Sequence, residues 1–105
     1  MQGDDERAAG GGGTSVTVQA DGEVATGVYS NLMMITHRKG EFVLDFLFVH
    51  PQQGPRGEAV ATLRSRVIAT PEHAKRVLRA IEENLRRYEA AFGPIEEADL
   101  PGVLQ

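Results

Sequence analysis

Two consecutive ten-residue runs, Val28–His37 and Glu41–His50, constrain this chain most, because both are rich in β-forming residues. Arg38-Lys39-Gly40 separates them, and Gly40 offers the left-handed residue that a tight hairpin turn uses. With Lys39-Gly40 as the loop, Arg38 faces Glu41, His37 faces Phe42, Ile35 faces Leu44 and Met33 faces Phe46. Opposite charges then flank the turn and apolar pairs lie deeper, as cross-strand energetics favour. One face of this hairpin presents Tyr29, Met33, Ile35, Phe42, Leu44, Phe46 and Phe48. The other presents Val28, Leu32, Met34, Val43, Leu47 and Val49, with Asp45 among them. A sheet wet on one side alternates apolar with polar residues; two apolar faces need two covers.

The flanking segments supply further strands and one cover. Thr14–Ala20 is β-branched and alternating, and Asp21-Gly22 after it is a turn signal. Pro51–Gly57 is a loop with four breakers in seven positions. Ala59–Ala69 reads as another strand, with Ala61, Leu63, Ser65, Val67 and Ala69 on one side and Val60, Thr62, Arg64, Arg66 and Ile68 on the other. A helix follows, opened by Thr70 as N-cap, Pro71 at its first position and Glu72 beside the positive helix start. Ala74, Leu78, Ile81, Leu85, Tyr88 and Phe92 recur at spacings of four and three, a heptad seam that Val77 and Ala91 widen; Gly93-Pro94 ends it. Its outer face offers Glu72–Arg76, Arg79–Glu83, Glu82–Arg86 and Glu83–Arg87 pairs.

The predicted fold is therefore a single α+β domain over residues 14–94: a four-stranded antiparallel β-meander followed by one long C-terminal amphipathic helix. Residues 1–13, with four successive glycines at Gly10–Gly13, are expected to be a disordered tail, and residues 95–105 an irregular one. A folded part this small is marginal alone, and the absence of cysteine removes disulfides and thiolate metal sites as remedies. Oligomerisation is the remedy left. The helix is expected to lie on the chain's own sheet, leaving a second copy to cover the face of Val28, Leu32, Met34, Val43, Leu47 and Val49.

Chemistry-bearing patterns are sparse. His37, His50 and His73 show no metal-ligand spacing, so no metal or cofactor is expected. Asp45, between Leu44 and Phe46, is expected to form a structural ion pair with Arg64 or Arg66 in preference to acting as a catalytic acid. Asn31, beside Tyr29 and Ser30, is a polar interruption consistent with a bulge, a strand end or a bond to backbone. Gly10–Gly13 lacks the Lys-Ser/Thr of a phosphate loop. The net charge of −4 argues against a general polyanion binder, and Glu72, Glu82, Glu83 and Glu89 interrupt the Arg64, Arg66, Lys75, Arg76, Arg79 stripe. No secretory or membrane-spanning pattern is present, which makes the cytoplasm the expected location.

Gly27-Val28-Tyr29-Ser30-Asn31, Glu41-Phe42-Val43-Leu44-Asp45-Phe46, Thr70-Pro71-Glu72-His73-Ala74-Lys75 and Asn84-Leu85-Arg86-Arg87-Tyr88-Glu89 through Phe92-Gly93-Pro94-Ile95 resemble a family of short prokaryotic proteins. That family is known as a domain of unknown function, and the resemblance spans roughly residues 15–95. More distantly, four strands followed by a helix, with an acidic-aromatic strand such as Glu41–Phe46, are similar to the SecB-type export chaperones. That likeness implies oligomers with apolar grooves for unfolded clients, although this chain has no second C-terminal helix of any length. The expected function is a non-enzymatic, homo-oligomeric protein-interaction module of chaperone or adaptor type. Its expected partner is itself, as a homodimer or dimer of dimers, with a protein client as a second partner and no membrane. Two alternatives are a nucleic-acid-associated protein using Arg64, Arg66, Lys75, Arg76 and Arg79, and a small enzyme using Asp45 with a histidine.

Overall fold

A computed structural model describes residues 7–11 and 14–98. Residues 1–6, 12–13 and 99–105 of the expected tails lie outside the described residues, whereas Arg7–Gly11, expected to be disordered, is a strand. The described chain is a three-stranded antiparallel sheet, a two-stranded ribbon ahead of it and one long helix behind it.

The sheet is built on the hairpin. β3 (Leu32–Arg38) pairs with β4 (Glu41–Val49) in the register that places Arg38 opposite Glu41, His37 opposite Phe42 and Met33 opposite Phe46. The His37 ring stacks on Phe42, centroids 5.3 Å apart. The turn differs in one respect: neither Lys39 nor Gly40 takes a positive φ. The loop is thus of the unprimed kind, and the seven cross-strand pairs hold the register without a left-handed residue. β5 (Ala61–Ala69) adds to the other edge of β4, giving the order β3-β4-β5.

The expected fourth strand forms but does not join this sheet. β2 (Thr14–Val18) pairs instead with β1 (Arg7–Gly11). Asp21-Gly22 makes no hairpin turn between β2 and β3. Asp21 is extended (φ −69°, ψ 157°) and caps a short helix, α1 (Gly22–Thr26), which ends at Gly27 with φ 86°. The Asp21 carbonyl accepts the first helical bond, from the Ala25 N–H at 2.8 Å, while its side chain makes no cap bond, and Glu23 suits the first turn of a helix. The chain therefore does not fold straight back from β2 onto β3.

Asn31 acts as a substitute for backbone at the mouth of the hairpin. Its amide nitrogen donates to the Val49 carbonyl at 3.3 Å and its amide oxygen accepts from the Val49 N–H at 2.7 Å. The Ser30 hydroxyl donates to the Leu47 carbonyl at 2.8 Å. These bonds continue the ladder one pair beyond β3 and explain why the strand begins at Leu32, not at Val28 as the residue pattern alone suggests.

α2 (Pro71–Phe92) begins one residue after β5. The Thr70 hydroxyl accepts from the His73 N–H at 3.1 Å, Pro71 occupies the first turn, and Gly93 ends the helix with φ 100°. On its outer face Glu83 binds Arg87 four residues on and also Arg86 three residues on. At about 1.5 Å per residue its 22 residues run roughly 33 Å. Its contact with the sheet is sparse and lies mainly against β4. No core results: among residues 15–98, those whose side chains are described, not one is buried. The radius of gyration is 17.1 Å, against about 13 Å for a compact chain of this length.

Candidate functional site

The most prominent surface is apolar and wet, and the pleat of the sheet decides how it is divided. Pairing sets Leu32, Met34, Val43, Asp45, Leu47, Arg66 and Ile68 on one face, here called face A. The opposite face B carries Met33, Ile35, Phe42, Leu44, Phe46 and Val67. Regular alternation fails on β5. Phe46 is opposite Ser65 whereas Leu47 is opposite Leu63, so Arg64 is an extra residue, a β-bulge. The bulge reverses the parity of the strand. Leu63 and Ala61, which strict alternation groups with Val67 and Ala69, move to face A opposite Leu47 and Val49. A charged residue between Leu63 and Ser65 gives no sequence warning of this.

Five of the six candidate interface residues, Leu32, Met34, Val43, Leu47 and Val49, thus share face A; Leu63 and Ile68 join them. Val28 does not belong to the sheet. It lies in the segment between α1 and β3, exposed, and with Tyr29, Met33 and Phe46 it borders a shallow hollow. The Tyr29 ring meets Phe48 edge-on at 6.0 Å, so the chain's own N-terminal segment approaches face B.

Asp45 occupies the middle of β4, and β5 presents Arg66 directly across from it. The guanidinium donates to both carboxylate oxygens, Nε to Oδ1 at 2.6 Å and Nη2 to Oδ2 at 3.0 Å, a planar two-bond fit. These bonds hold the Asp45 carboxyl below the ordinary carboxylate range and raise the Arg66 guanidinium. The side chains are 21% and 55% exposed, so Arg66 still faces solvent on its outer side. Arg64 is exposed and makes no ion pair among the described residues.

The helix seam is the second apolar surface. Leu78, Ile81, Leu85, Tyr88 and Phe92 are between 45% and 75% exposed, whereas Ala74 and Val77 near the sheet are half-buried. The Tyr88 and Phe92 rings meet at a tilt, centroids 4.9 Å apart, and after Gly93 the chain turns back so that the Ile95 N–H donates to Glu89. Ile81, Leu85, Tyr88, Phe92 and Ile95 line one groove. The expected packing of this seam on the chain's own sheet does not occur beyond the first turns. A single residue, Thr70, links β5 to this helix.

The histidines are engaged singly. His50 shares a hydrogen bond with Thr62 at 2.7 Å and sits edge-on to Phe48, and His73 gives its backbone N–H to the helix cap. No group of three or more metal-capable side chains occurs among the described residues. No described helix is long and apolar enough to cross a membrane.

The three-stranded antiparallel sheet with one long C-terminal helix makes this an α+β protein whose notable surfaces are apolar. Residues 1–97 match the family described as a protein of unknown function, DUF3467, and the chain belongs to that family. Neither the curated proteins nor the solved structures contain a match to it.

Proposed function

We propose that this chain is a non-enzymatic, homo-oligomeric interaction module in which face A and the α2 seam are covered by further copies of the chain. The carrying observation is that no described residue is buried in the single protomer, although both sheet faces and the helix seam are apolar. Surface area supports the same reading. The protomer exposes 9029 Å², against about 5,800 Å² for a compact chain of its mass. Even after roughly 2,200 Å² is allotted to the fifteen undescribed residues as if fully exposed, the rest exceeds that compact value by about 1,000 Å². Two such protomers would cover about 2,000 Å², at the lower end of the range of obligate homodimers.

The fourth strand belongs to this reading. The outer edge of β3 is unpaired among the described residues and contains no proline, so it can accept a strand on assembly. An adaptor or chaperone role would use whatever apolar surface the assembly leaves open. Arg66, bound to Asp45, is withdrawn from the basic stripe, which favours protein contacts over nucleic acid.

Leu47→Glu on face A and Ile81→Glu on the seam test the proposal. Each should convert an oligomer into a monomer or an unfolded chain by light scattering and circular dichroism. Wild-type mass and wild-type helicity in both variants would refute it.

A further inference from the structure

The strongest polar feature of face A lies at its centre, and symmetry gives that position meaning. Asp45 is the fifth of the nine residues of β4, the middle strand, and Arg66 is its cross-strand neighbour on β5. A surface packed on itself about a twofold axis brings its centre against its own copy. An axis running across the strands would set Asp45 over Asp45 and Arg66 over Arg66, and like charges facing each other oppose association. An axis running along the strands, between β4 and β5, sets each Asp45 over the other copy's Arg66.

We propose that the Asp45–Arg66 pair is the polar key of a twofold interface between two copies of face A, with the axis parallel to the strands and each Arg66 bridging to the partner's Asp45. This rests on the reading of face A as a self-associating surface. The hydrogen-bonding capacity is present. Arg66 uses two of its five N–H donors within the protomer, and each Asp45 oxygen, accepting one bond, can accept another. The surroundings supply the need. Met34, Val43, Leu47, Leu63 and Ile68 form the rest of the patch, so covering it removes water from the pair. A dehydrated ion pair is costly alone, and a ring of two carboxylates and two guanidiniums offsets that cost with further charge-assisted bonds. A second copy fits the patch because the ring it completes is neutral and self-complementary.

Charge exchange between chains tests this. Asp45→Lys makes the key doubly positive and Arg66→Glu makes it doubly negative. Each variant alone should associate on the order of a hundred-fold more weakly than wild type in sedimentation, because like charges now meet across the axis. An equimolar mixture, refolded together with one chain isotope-labelled, should restore a dimer that native mass spectrometry shows to contain one chain of each kind. Co-refolding also decides the case if either variant fails to fold alone: recovery of the mixed dimer supports the key, and its absence overturns it. Either variant remaining a wild-type dimer alone would place the pair outside the interface. A monomeric wild type would remove the assembly reading itself, an outcome distinct from a wild-type dimer whose variants fail to complement.

Discussion

At the scale of single residues, the carboxylate of Asp45 has its charge fixed by one neighbour. The two bonds from Arg66 lower its pKa from the usual 3.8, so the folded state binds this proton less readily than the unfolded chain. The sign follows directly. The pair stabilises the fold above about pH 4, and that contribution fades as pH falls through the lowered folded-state value. Acid titration followed by circular dichroism should show wild type losing stability in this range, whereas Asp45→Asn, already without the charge, should have a flatter acid limb. Parallel acid limbs would contradict the role given to the pair. Glu83, held low by Arg86 and Arg87, titrates with the same sign and is the control to mutate beside it. Asn31 makes a second residue-scale case. Asn31→Ala should cost about 1 kcal/mol in denaturant unfolding by removing both bonds to the Val49 backbone. The polar interruption at Asn31 is visible in the sequence, but its partner is not, because that partner is backbone eighteen residues away.

At the scale of elements, legibility follows whether the determinant is local. The ends of α2 are set by Thr70, Pro71 and Gly93 acting on their own neighbours, and the helix runs between them. Thr70→Ala should therefore destabilise by about 1 kcal/mol and lower helicity at its first turn; an unchanged midpoint would argue against the cap. The hairpin register is likewise a local matter of a two-residue loop. The bulge at Arg64 depends on how β5 meets β4, and Asp21-Gly22 could open a helix as readily as a turn, so neither outcome can be read from neighbours alone. Deleting Arg64 should remove the bulge and leave Leu63 and Ala61 on face A, opposite Leu47 and Val49, in a regular ladder. The expected result is that self-association and the hairpin are both retained, read from light scattering together with amide exchange across Leu32–Val49; loss of self-association would contradict the assignment of Arg64 as the extra residue.

At the scale of the whole molecule, a count of covers governs the account. The residue pattern shows two apolar faces and one amphipathic helix, and the structure adds that the helix leaves the sheet after a single linking residue and stays largely wet. A protomer without one buried described residue has little hydrophobic stabilisation to set against the conformational entropy lost on folding. Its stability is then inseparable from its concentration, as in obligate dimers. Thermal midpoints should rise with protein concentration, and a midpoint constant over a hundred-fold dilution would contradict this.

The most direct measurement is the molar mass of the wild-type chain by sedimentation at micromolar concentration. The expected mass is at least twice the 11.4 kDa of one chain, together with cooperative unfolding. A sharply unfolding species of 11.4 kDa would contradict it, because a lone chain would then be stable with its apolar faces open to water.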